Sequence, residues 1–380
     1  MRILFSSTPG YGHLLPQLPL ARAFRDRGDE VAVLTSASFG PLLAAEGIPL
    51  FAVGPEASEI LAEAARRSGA SAAAAAEATP AAVAEFFAGT RVDLTADAAL
   101  DAGREFRPDL IVGEATDYVG PLVAAALEVP FAKLAFGPQM PAEFTDVFDA
   151  VVESRHKERG LTVPPPAWYL DPCPELLQGP GWEPPQGHLS LRPEAHQGPG
   201  APGTAPAPAM PPAAGARPRV LLSFGTNYAE PAVLRPLIDA LTPTADLVVT
   251  LGLTATAADY GDGLDRVDFV GFTPFAELLD GIDLVVTHGG AGTVLGTLSR
   301  GLPMVVVPQG ADQFLNAAAV AGARAGVAVL PPAGVEAVAE AMTEVLGRPE
   351  YRDSAARAAG QIAAMLSPSE VAERLAADLG

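Results

Sequence analysis

The feature that most constrains the fold of this chain is a repeated unit of a short apolar run, a loop, and apolar residues at helical spacing. The first run covers residues 2–7, and Leu14, Leu18 and Phe24 follow it at helical spacing. Further apolar runs lie at 30–35, 109–113, 219–223, 247–251, 267–270, 284–287 and 304–307. Because strands that alternate with helices pair in parallel and are covered on both faces, the pattern predicts an α/β fold with Rossmann-like, doubly wound parallel sheets.

A proline-rich stretch divides these runs into two groups. Seven of the twenty residues 199–218 are proline, which is typical of a linker, and 380 residues are enough for two domains with separate cores. Ser367, Pro368 and Glu370 form a helix-start signal near the end of the chain. We therefore predict an N-terminal domain at 1–195, a linker at 196–217, a C-terminal domain at 218–365, and a terminal helix at 366–380 that packs back on the N-terminal domain.

Composition argues against several classes of partner and location. The formal net charge of -21 disfavours nucleic acid, because binding to phosphate backbones needs clustered Lys and Arg. Cys173 is the single cysteine and cannot form an internal disulfide, and no apolar run approaches the roughly 18 to 20 residues that span a bilayer. We predict a cytoplasmic protein without a nucleic-acid or membrane partner.

A glycine-rich segment, Thr287 to Thr293, lies between an apolar strand and a helical stretch. Glycines let backbone N–H groups approach an anion, and the first turn of the next helix offers unpaired N–H donors. A tight turn that only caps the helix is the alternative, but such a turn needs no imidazole, whereas His288 can donate to a phosphate oxygen. The predicted diphosphate-binding residues are His288, Gly289, Gly290, Ala291, Gly292 and Thr293.

The next strand ends in a segment that contains Asp312 and Gln313. The carboxyl ends of parallel strands meet at one rim of a sheet, so these side chains are expected near His288. An acid and an amide together supply the acceptors and donors that suit sugar hydroxyls. Alternatively, Asp312 is only the N-cap of the following helix.

His13 follows the first strand and is the candidate general base. Deprotonating an acceptor hydroxyl needs a group that is neutral near pH 7 and still accepts a proton, which points to histidine. A lone histidine is otherwise more often a surface or capping residue. Glu114 and Asp117 follow a strand of the same predicted sheet, and either of them is a candidate to orient the imidazole.

Taken together, these motifs resemble glycosyltransferase family one, in particular the actinobacterial enzymes that decorate aromatic polyketides, macrolides and enediynes. The resemblance spans nearly the whole chain. It rests on segments 12–13, 223–226, 271–274, 288–293 and 312–313. It implies a GT-B fold, in which an N-terminal acceptor domain and a C-terminal donor domain face a cleft.

The resemblance also implies roles for individual residues. His13 matches the family base, and Glu114 stands where the family usually has a supporting Asp. Phe272 and Thr273 border the nucleobase, and Thr226 helps to hold the charge of the leaving diphosphate. The implied co-substrate is a dTDP- or UDP-sugar, and no metal or other cofactor is expected.

The resulting functional prediction is an inverting, metal-independent glycosyltransferase that transfers a deoxysugar to oxygen or carbon of a hydrophobic, aromatic polyketide-type aglycone. A nucleotide-sugar epimerase and a non-catalytic activator of another transferase are the alternatives. The oligomeric state stays open, with a homodimer as one alternative. The candidate acceptor contacts are Phe86, Phe87, Phe136, Met140, Phe144 and Phe148.

Overall fold

A computed structural model describes residues 1–68, 79–195, 217–225, 228–253 and 255–380. Residues 196–216 of the predicted linker and the predicted site residue Thr226 lie outside the described residues. The chain divides into two compact units. The first comprises Met1–Pro172, Glu183–Leu191 and Leu366–Gly380, and the second comprises Cys173–Trp182 and Arg192–Met365.

The first unit is built on a parallel sheet with helices on both faces. Its strands are β1 (Arg2–Ser6), β2 (Glu30–Thr35), β3 (Leu50–Ala52), β4 (Leu110–Glu114), β5 (Phe131–Leu134), β6 (Trp168–Asp171) and β7 (His188–Ser190). Its helices are α1 (Tyr11–Leu14), α2 (Leu18–Asp26), α3 (Gly40–Ala45), α4 (Ala57–Ser68), α5 (Pro80–Ala84), α6 (Arg91–Phe106), α7 (Val119–Leu127) and α8 (Ala142–Glu158). The strand order is β3-β2-β1-β4-β5-β6-β7, and all the pairs are parallel.

The second unit repeats this architecture. Its strands are β8 (Arg219–Ser223), β9 (Asp246–Thr250), β10 (Val267–Val270), β11 (Leu284–Thr287), β12 (Met304–Val306) and β13 (Gly326–Ala328). Its helices are α9 (Pro231–Leu241), α10 (Phe275–Leu278), α11 (Ala291–Ser299), α12 (Gln313–Gly322), α13 (Val335–Gly347) and α14 (Pro349–Ala363). The order β10-β9-β8-β11-β12-β13 is again all parallel, which confirms the predicted pair of doubly wound sheets.

Short irregular turns complete the two units. Turns of 3₁₀ helix cover Leu15–Gln17, Ala37–Phe39, Glu175–Leu177 and Ala257–Tyr260, and a π-helical turn covers Glu85–Thr90. Among the described residues, no helix is both long and apolar enough to cross a bilayer.

Each sheet reverses its strand order at one point, and ligands of such folds bind beyond the carboxyl ends of the strands at that point. In the first unit the reversal lies between β1 and β4, where Ser6 pairs in register with Gly113. In the second it lies between β8 and β11, where Ser223 pairs with Thr287. The segments that carry His13, Glu114 and His288 all begin at these strand ends.

The last helix of the chain, α15 (Pro368–Leu379), belongs to the first unit. Its start is as predicted: the Ser367 hydroxyl accepts from the Glu370 N–H at 3.2 Å, and the Glu370 carboxylate accepts from the Ser367 N–H at 2.7 Å. The helix packs against α2, and its buried Val371, Ala372 and Leu375 join the core that contains Phe24. Trp168 of β6 donates to Asp378 of the same helix at 3.3 Å.

Replacing the fully buried Leu375 by Ala tests this docking. We expect the free energy of unfolding of the first unit to fall by about 2–5 kcal/mol, because the substitution removes buried methyl groups and leaves a cavity. Glu373→Ala, at an exposed position of the same helix, is the matched control. Thermal unfolding followed by tryptophan fluorescence measures both variants, and equal stabilities would show that α15 contributes nothing to this core.

Candidate active site

His13 lies in α1, directly after the loop that follows β1. Its Nδ1 is 3.1 Å from Oε1 of Glu114 and 3.3 Å from the hydroxyl of Thr116. The ring lies over Gly10, where an added Cβ would come within 3.0 Å of the imidazole Cδ2. The imidazole is partly exposed, whereas the Glu114 side chain is fully buried.

The Glu114 carboxylate is surrounded by donors. Besides His13, it accepts from the Thr8 N–H at 3.1 Å, and from the N–H and hydroxyl of Thr116 at 2.6 and 2.9 Å. Burial alone would raise the pKa of Glu114, but the interaction with His13 and the hydrogen bonds together hold the pKa well below its usual range. An ionised carboxylate can only accept, so it favours the tautomer in which Nδ1 of His13 carries the proton and Nε2 keeps its lone pair.

Asp117 has a different set of partners. It forms a buried ion pair with Arg91, and it accepts from the Gly120 N–H at 2.9 Å at the start of α7. Arg91 also donates to the carbonyl of Ser7 at 2.9 Å. Of the two carboxylates that the sequence left open, the structure brings Glu114 to His13 and places Asp117 in a structural pair.

Aromatic rings also lie close to His13. The ring centroids of Phe87 and Phe136 are 5.5 and 5.4 Å from that of the imidazole. The π-helical turn carries Phe86 and Phe87, whose centroids are 4.7 Å apart, and Phe87 contacts Phe148 of α8 at 6.4 Å. Of these candidate acceptor contacts, Phe86, Phe87 and Phe136 are partly exposed near His13, whereas Phe148 is buried in the core behind Phe87. The remaining candidates, Met140 and Phe144, pack against the apolar cluster that contains Phe148.

In the second unit, His288 is held tightly at the end of β11. An added Cβ at Gly225 or Gly290 would come within 2.9 or 2.7 Å of its ring, so both positions require the absence of a side chain. Burial lowers the pKa of His288 to about 4, although a hydrogen bond with the backbone of Ser223 opposes that shift. The imidazole is therefore neutral near pH 7, with one nitrogen able to donate and the other to accept.

The segment after His288 forms the predicted turn and helix start. Gly289 has a φ of 93°, and Gly290 is the N-cap of α11, which begins at Ala291. The first turn, which contains Gly292 and Thr293, is at least partly exposed. Its N–H groups have no partner in the preceding turn of a helix, so they are suited to binding an anion.

Gln313 and Asp312 use part of their hydrogen-bonding capacity within the protein. Buried Gln313 accepts from the N–H groups of Gln309 and Gly310 at 2.8 and 3.1 Å. Asp312 is the N-cap of α12 by position, but its side chain makes no capping hydrogen bond. It accepts instead from the Asn316 amide at 2.9 Å. A sugar contact from either residue stays a prediction.

Asn316 and Tyr228 are site residues that the sequence reasoning missed. The buried Asn316 amide donates both to Asp312 and, at 2.9 Å, to the carbonyl of Gly289, so it connects the two loops. The spacing of Asp312 and Asn316, four residues apart on a helix, was the available signal. The Tyr228 ring packs on His288 with centroids 5.8 Å apart. Its contact could not be read from sequence, because Tyr228 lies on a different loop.

Two further predicted residues lie after β10. Phe272 is 52% exposed, and the Thr273 hydroxyl donates to the carbonyl of Gly271 at 3.2 Å. Their role at a nucleobase stays a prediction. Within the part of the chain that the structure describes, no group of three or more His, Cys, Asp or Glu side chains is arranged to hold a metal ion.

The lowered pKa of His288 predicts a stability loss in acid. An unfolded histidine takes up a proton below about pH 6.5, whereas folded His288 does so only near pH 4, so protonation favours the unfolded state between these values. From pH 7.5 to 5 the contribution amounts to about 2 kcal/mol. Urea unfolding at both pH values should show a smaller loss for His288→Asn than for the wild type. The pKa of the buried His156 is also lowered by burial, but His156 is present in both proteins, so its contribution to the stability loss cancels in the comparison. Equal losses would contradict the assignment.

The chain matches models of both halves of one protein family. The N-terminal domain model of the erythromycin biosynthesis protein CIII-like (EryCIII-like) family matches residues 22–179, and the C-terminal domain model matches residues 237–377. The L-demethylnoviosyl transferase of Streptomyces niveus is 31% identical, with coverage of 100% of this chain and 98% of the relative. The elloramycin glycosyltransferase ElmGT of Streptomyces olivaceus is 29% identical, with coverage of 99% and 97%.

Solved structures agree with these sequence relatives. The crystal structure of the Streptomyces sp. SF2575 glycosyltransferase SsfS6 has a TM-score of 0.77 and 26% identity, with coverage of 99% of both chains. The complex of SsfS6 with thymidine diphosphate matches with the same TM-score, 24% identity and the same coverage. The resemblance noted from the motifs is thereby confirmed, and the chain belongs to the EryCIII-like family of glycosyltransferases.

Proposed function

We propose that this enzyme transfers a deoxysugar from a dTDP-sugar to an oxygen or carbon atom of a hydrophobic, aromatic polyketide-type acceptor, with inversion at the anomeric carbon. The observation that carries the proposal is the buried Glu114 carboxylate, which holds Nδ1 of His13 at the carboxyl edge of the first sheet. In this proposal, the first unit binds the acceptor and the second unit binds the donor.

His13 acts as the general base. Its Nε2 accepts the proton of the acceptor hydroxyl while the oxygen attacks the anomeric carbon, and the bond to the diphosphate breaks in the same step. Glu114 stabilises the imidazolium that forms, since its carboxylate already accepts the Nδ1 proton. The partly exposed rings of Phe86, Phe87 and Phe136 beside His13 suit an apolar acceptor ring.

The second unit stabilises the departing diphosphate. In the proposal, the N–H groups at the start of α11 stabilise the charge that develops there, His288 donates to it with the N–H that otherwise bonds to the backbone of Ser223, and Thr226 adds a hydroxyl. Asn316 acts as a positioning residue, because it fixes the carbonyl of Gly289 and the carboxylate of Asp312 relative to each other. We propose that these donors suffice for transfer without a metal.

Thymidine diphosphate is the preferred nucleotide of the proposal. SsfS6 has been solved in complex with thymidine diphosphate, and the EryCIII-like family likewise groups this chain with enzymes of antibiotic biosynthesis. Phe272 and Thr273, next to the β10 carboxyl end, are the proposed nucleobase contacts. UDP is the alternative donor nucleotide.

Variants of the general base His13 and of its partner Glu114 test the mechanism. His13→Ala should lower kcat by about 100-fold or more, because the acceptor proton then has no positioned base. Glu114→Gln should also lower kcat. The carboxylate accepts from the N–H groups of Thr8 and Thr116, whereas the NH₂ group of glutamine is itself a donor and cannot accept from them. To measure transfer, an aglycone is incubated with a dTDP-sugar and the products are separated by chromatography. The affinity for dTDP is the control and should not change in either variant. A His13→Ala enzyme with wild-type kcat would refute the base, and sugar turnover without any acceptor would favour an epimerase.

Calorimetric titration tests the donor site. Wild-type protein should bind dTDP more tightly than UDP. His288→Ala should weaken dTDP binding by about 10- to 100-fold, the range expected for one lost hydrogen bond to a charged group. His13→Ala removes a histidine from the other unit and is the matched control. Unchanged dTDP affinity in His288→Ala would count against the diphosphate assignment.

A further inference from the structure

The helices α5 and α6 are joined without a break by the π-helical turn Glu85–Thr90, so residues 80–106 form one continuous helix. The N–H group of Arg91 donates to the carbonyl of Phe86, five residues earlier, whereas an α-helix would bond it to the residue four positions earlier. Single π-helical turns inside α-helices are rare and are frequently found at functional sites. The interactions that maintain this turn are therefore candidates for a functional role.

The side chains of Glu85 and Thr90 close the turn. The buried Thr90 hydroxyl donates to the Glu85 carboxylate at 2.6 Å. Along an α-helix, positions five residues apart point about 140° away from each other, because each residue turns the chain by about 100°. In a π-helical turn the backbone hydrogen bonds link positions five residues apart, so the two side chains lie one above the other. The bond between Glu85 and Thr90 thus favours the π-helical turn over the α-helix.

The Glu85 carboxylate lies in space that a side chain at position 89 would fill. An added Cβ at the buried Gly89 would clash with Oε2 of Glu85. Gly89 has no positive φ, and alanine is more favourable than glycine inside a helix, so the local backbone gives no reason for a glycine here. The glycine is explained by the carboxylate, which needs this space to reach Thr90.

A surface ion pair does not explain Glu85. Nη1 of Arg67 on α4 is 4.0 Å from the Glu85 carboxylate, whereas Arg67 lies 2.9 Å from Glu63 and 2.6 Å from Asp93. The closer partners of Arg67 are thus other acids, and the contact of Glu85 at hydrogen-bond distance is with Thr90. The role of the Glu85 carboxylate is therefore to be found in the turn itself.

The π-helical turn carries aromatic rings that lie beside the proposed base. Phe86 and Phe87 are partly exposed, and the Phe87 ring centroid is 5.5 Å from that of His13. The helix after the turn is fixed, because the buried Arg91 pairs with Asp117. If the turn relaxed to an α-helix, Phe87 would rotate about the helix axis relative to Arg91, and its ring would move away from His13.

We propose that Glu85 is a positioning residue of the acceptor site and that Gly89 is required for this role. By accepting from the Thr90 hydroxyl, Glu85 maintains the π-helical turn and so holds the Phe87 ring beside His13, where the ring lies against an aromatic acceptor. The inference rests on the proposed function, because it takes Phe87 as a contact of the acceptor of that reaction. Glu85 acts on the acceptor only through Phe87, and it takes no part in the chemical step.

NMR of the His13 ring tests the positioning without any substrate. The ring current of an aromatic side chain shifts the resonances of nearby protons, so the His13 ring protons report the place of Phe87. Their ¹H–¹³C signals, assigned with His13→Asn, should shift in Glu85→Ala, which removes the carboxylate. They should also shift in Gly89→Ala, which keeps the charge but displaces the carboxylate from Thr90.

Two further variants serve as controls for the NMR experiment. Glu85→Gln keeps an oxygen that accepts from Thr90, and Glu105→Ala removes an exposed carboxylate from α6. Both should give the His13 signals of the wild-type protein. Unmoved signals in both Glu85→Ala and Gly89→Ala overturn the proposal, and so does an equal shift in Glu85→Gln.

Steady-state transfer from dTDP-rhamnose to alizarin, an aromatic probe acceptor, measures the effect on the acceptor. The alizarin KM should rise about 3- to 10-fold in Glu85→Ala and Gly89→Ala, the range of one aromatic contact. Because the Phe87 ring contacts the acceptor equally in the ground state and the transition state, kcat should stay nearly unchanged. The affinity for dTDP should not change in either variant. An unchanged alizarin KM in both variants overturns the proposal.

The outcomes separate this inference from the proposed function. If the His13 signals shift as expected but no sugar is transferred to any acceptor, the positioning role stands and the proposed function fails. If transfer depends on His13, but neither the His13 signals nor the acceptor KM responds to Glu85→Ala and Gly89→Ala, the positioning role fails and the proposed function stands.

Discussion

The structure of the first site depends on the hydrogen bonds that one buried carboxylate accepts. Glu114 is fully enclosed at the end of β4, and an ionised group there would be very costly without donors around it. The backbone of Thr8, both donors of Thr116 and the ring of His13 meet that requirement. The same contacts connect the loop after β1 to the loop after β4, so the group that orients the imidazole also holds together the sheet edge that presents it.

The second site satisfies a different constraint, which is to fit a buried, neutral imidazole between two glycines and the aromatic rings of Phe224 and Tyr228. Gly225 and Gly290 leave room for the His288 ring, and its burial keeps it unprotonated near pH 7. Asn316 then fixes the loop after β11 to the start of α12 through two hydrogen bonds. Both sites therefore use one histidine at a strand-order reversal, but an ion partner orients the first and packing orients the second.

Sequence patterns predicted the two sheets, the helix start at Ser367 and the residues that the structure brings together at His13 and Glu114. They could not choose between Glu114 and Asp117, because the choice depends on Arg91, which lies 26 residues before Asp117 and reaches it only in the folded chain. The short strands β3, β5, β6 and β13 were missed; Trp168 to Asp171, for example, is a four-residue run between prolines.

The central claim is that Glu114 holds His13 with the proton on Nδ1 and the lone pair on Nε2. Long-range ¹H–¹⁵N correlation NMR of protein labelled at its five histidines distinguishes the two neutral tautomers, and His13→Asn assigns the resonance. Neutral His13 is expected to carry its proton on Nδ1, and Glu114→Gln is expected to redistribute the tautomers. A neutral His13 with its proton on Nε2 in the wild-type protein would contradict the account, since no lone pair would then face the acceptor.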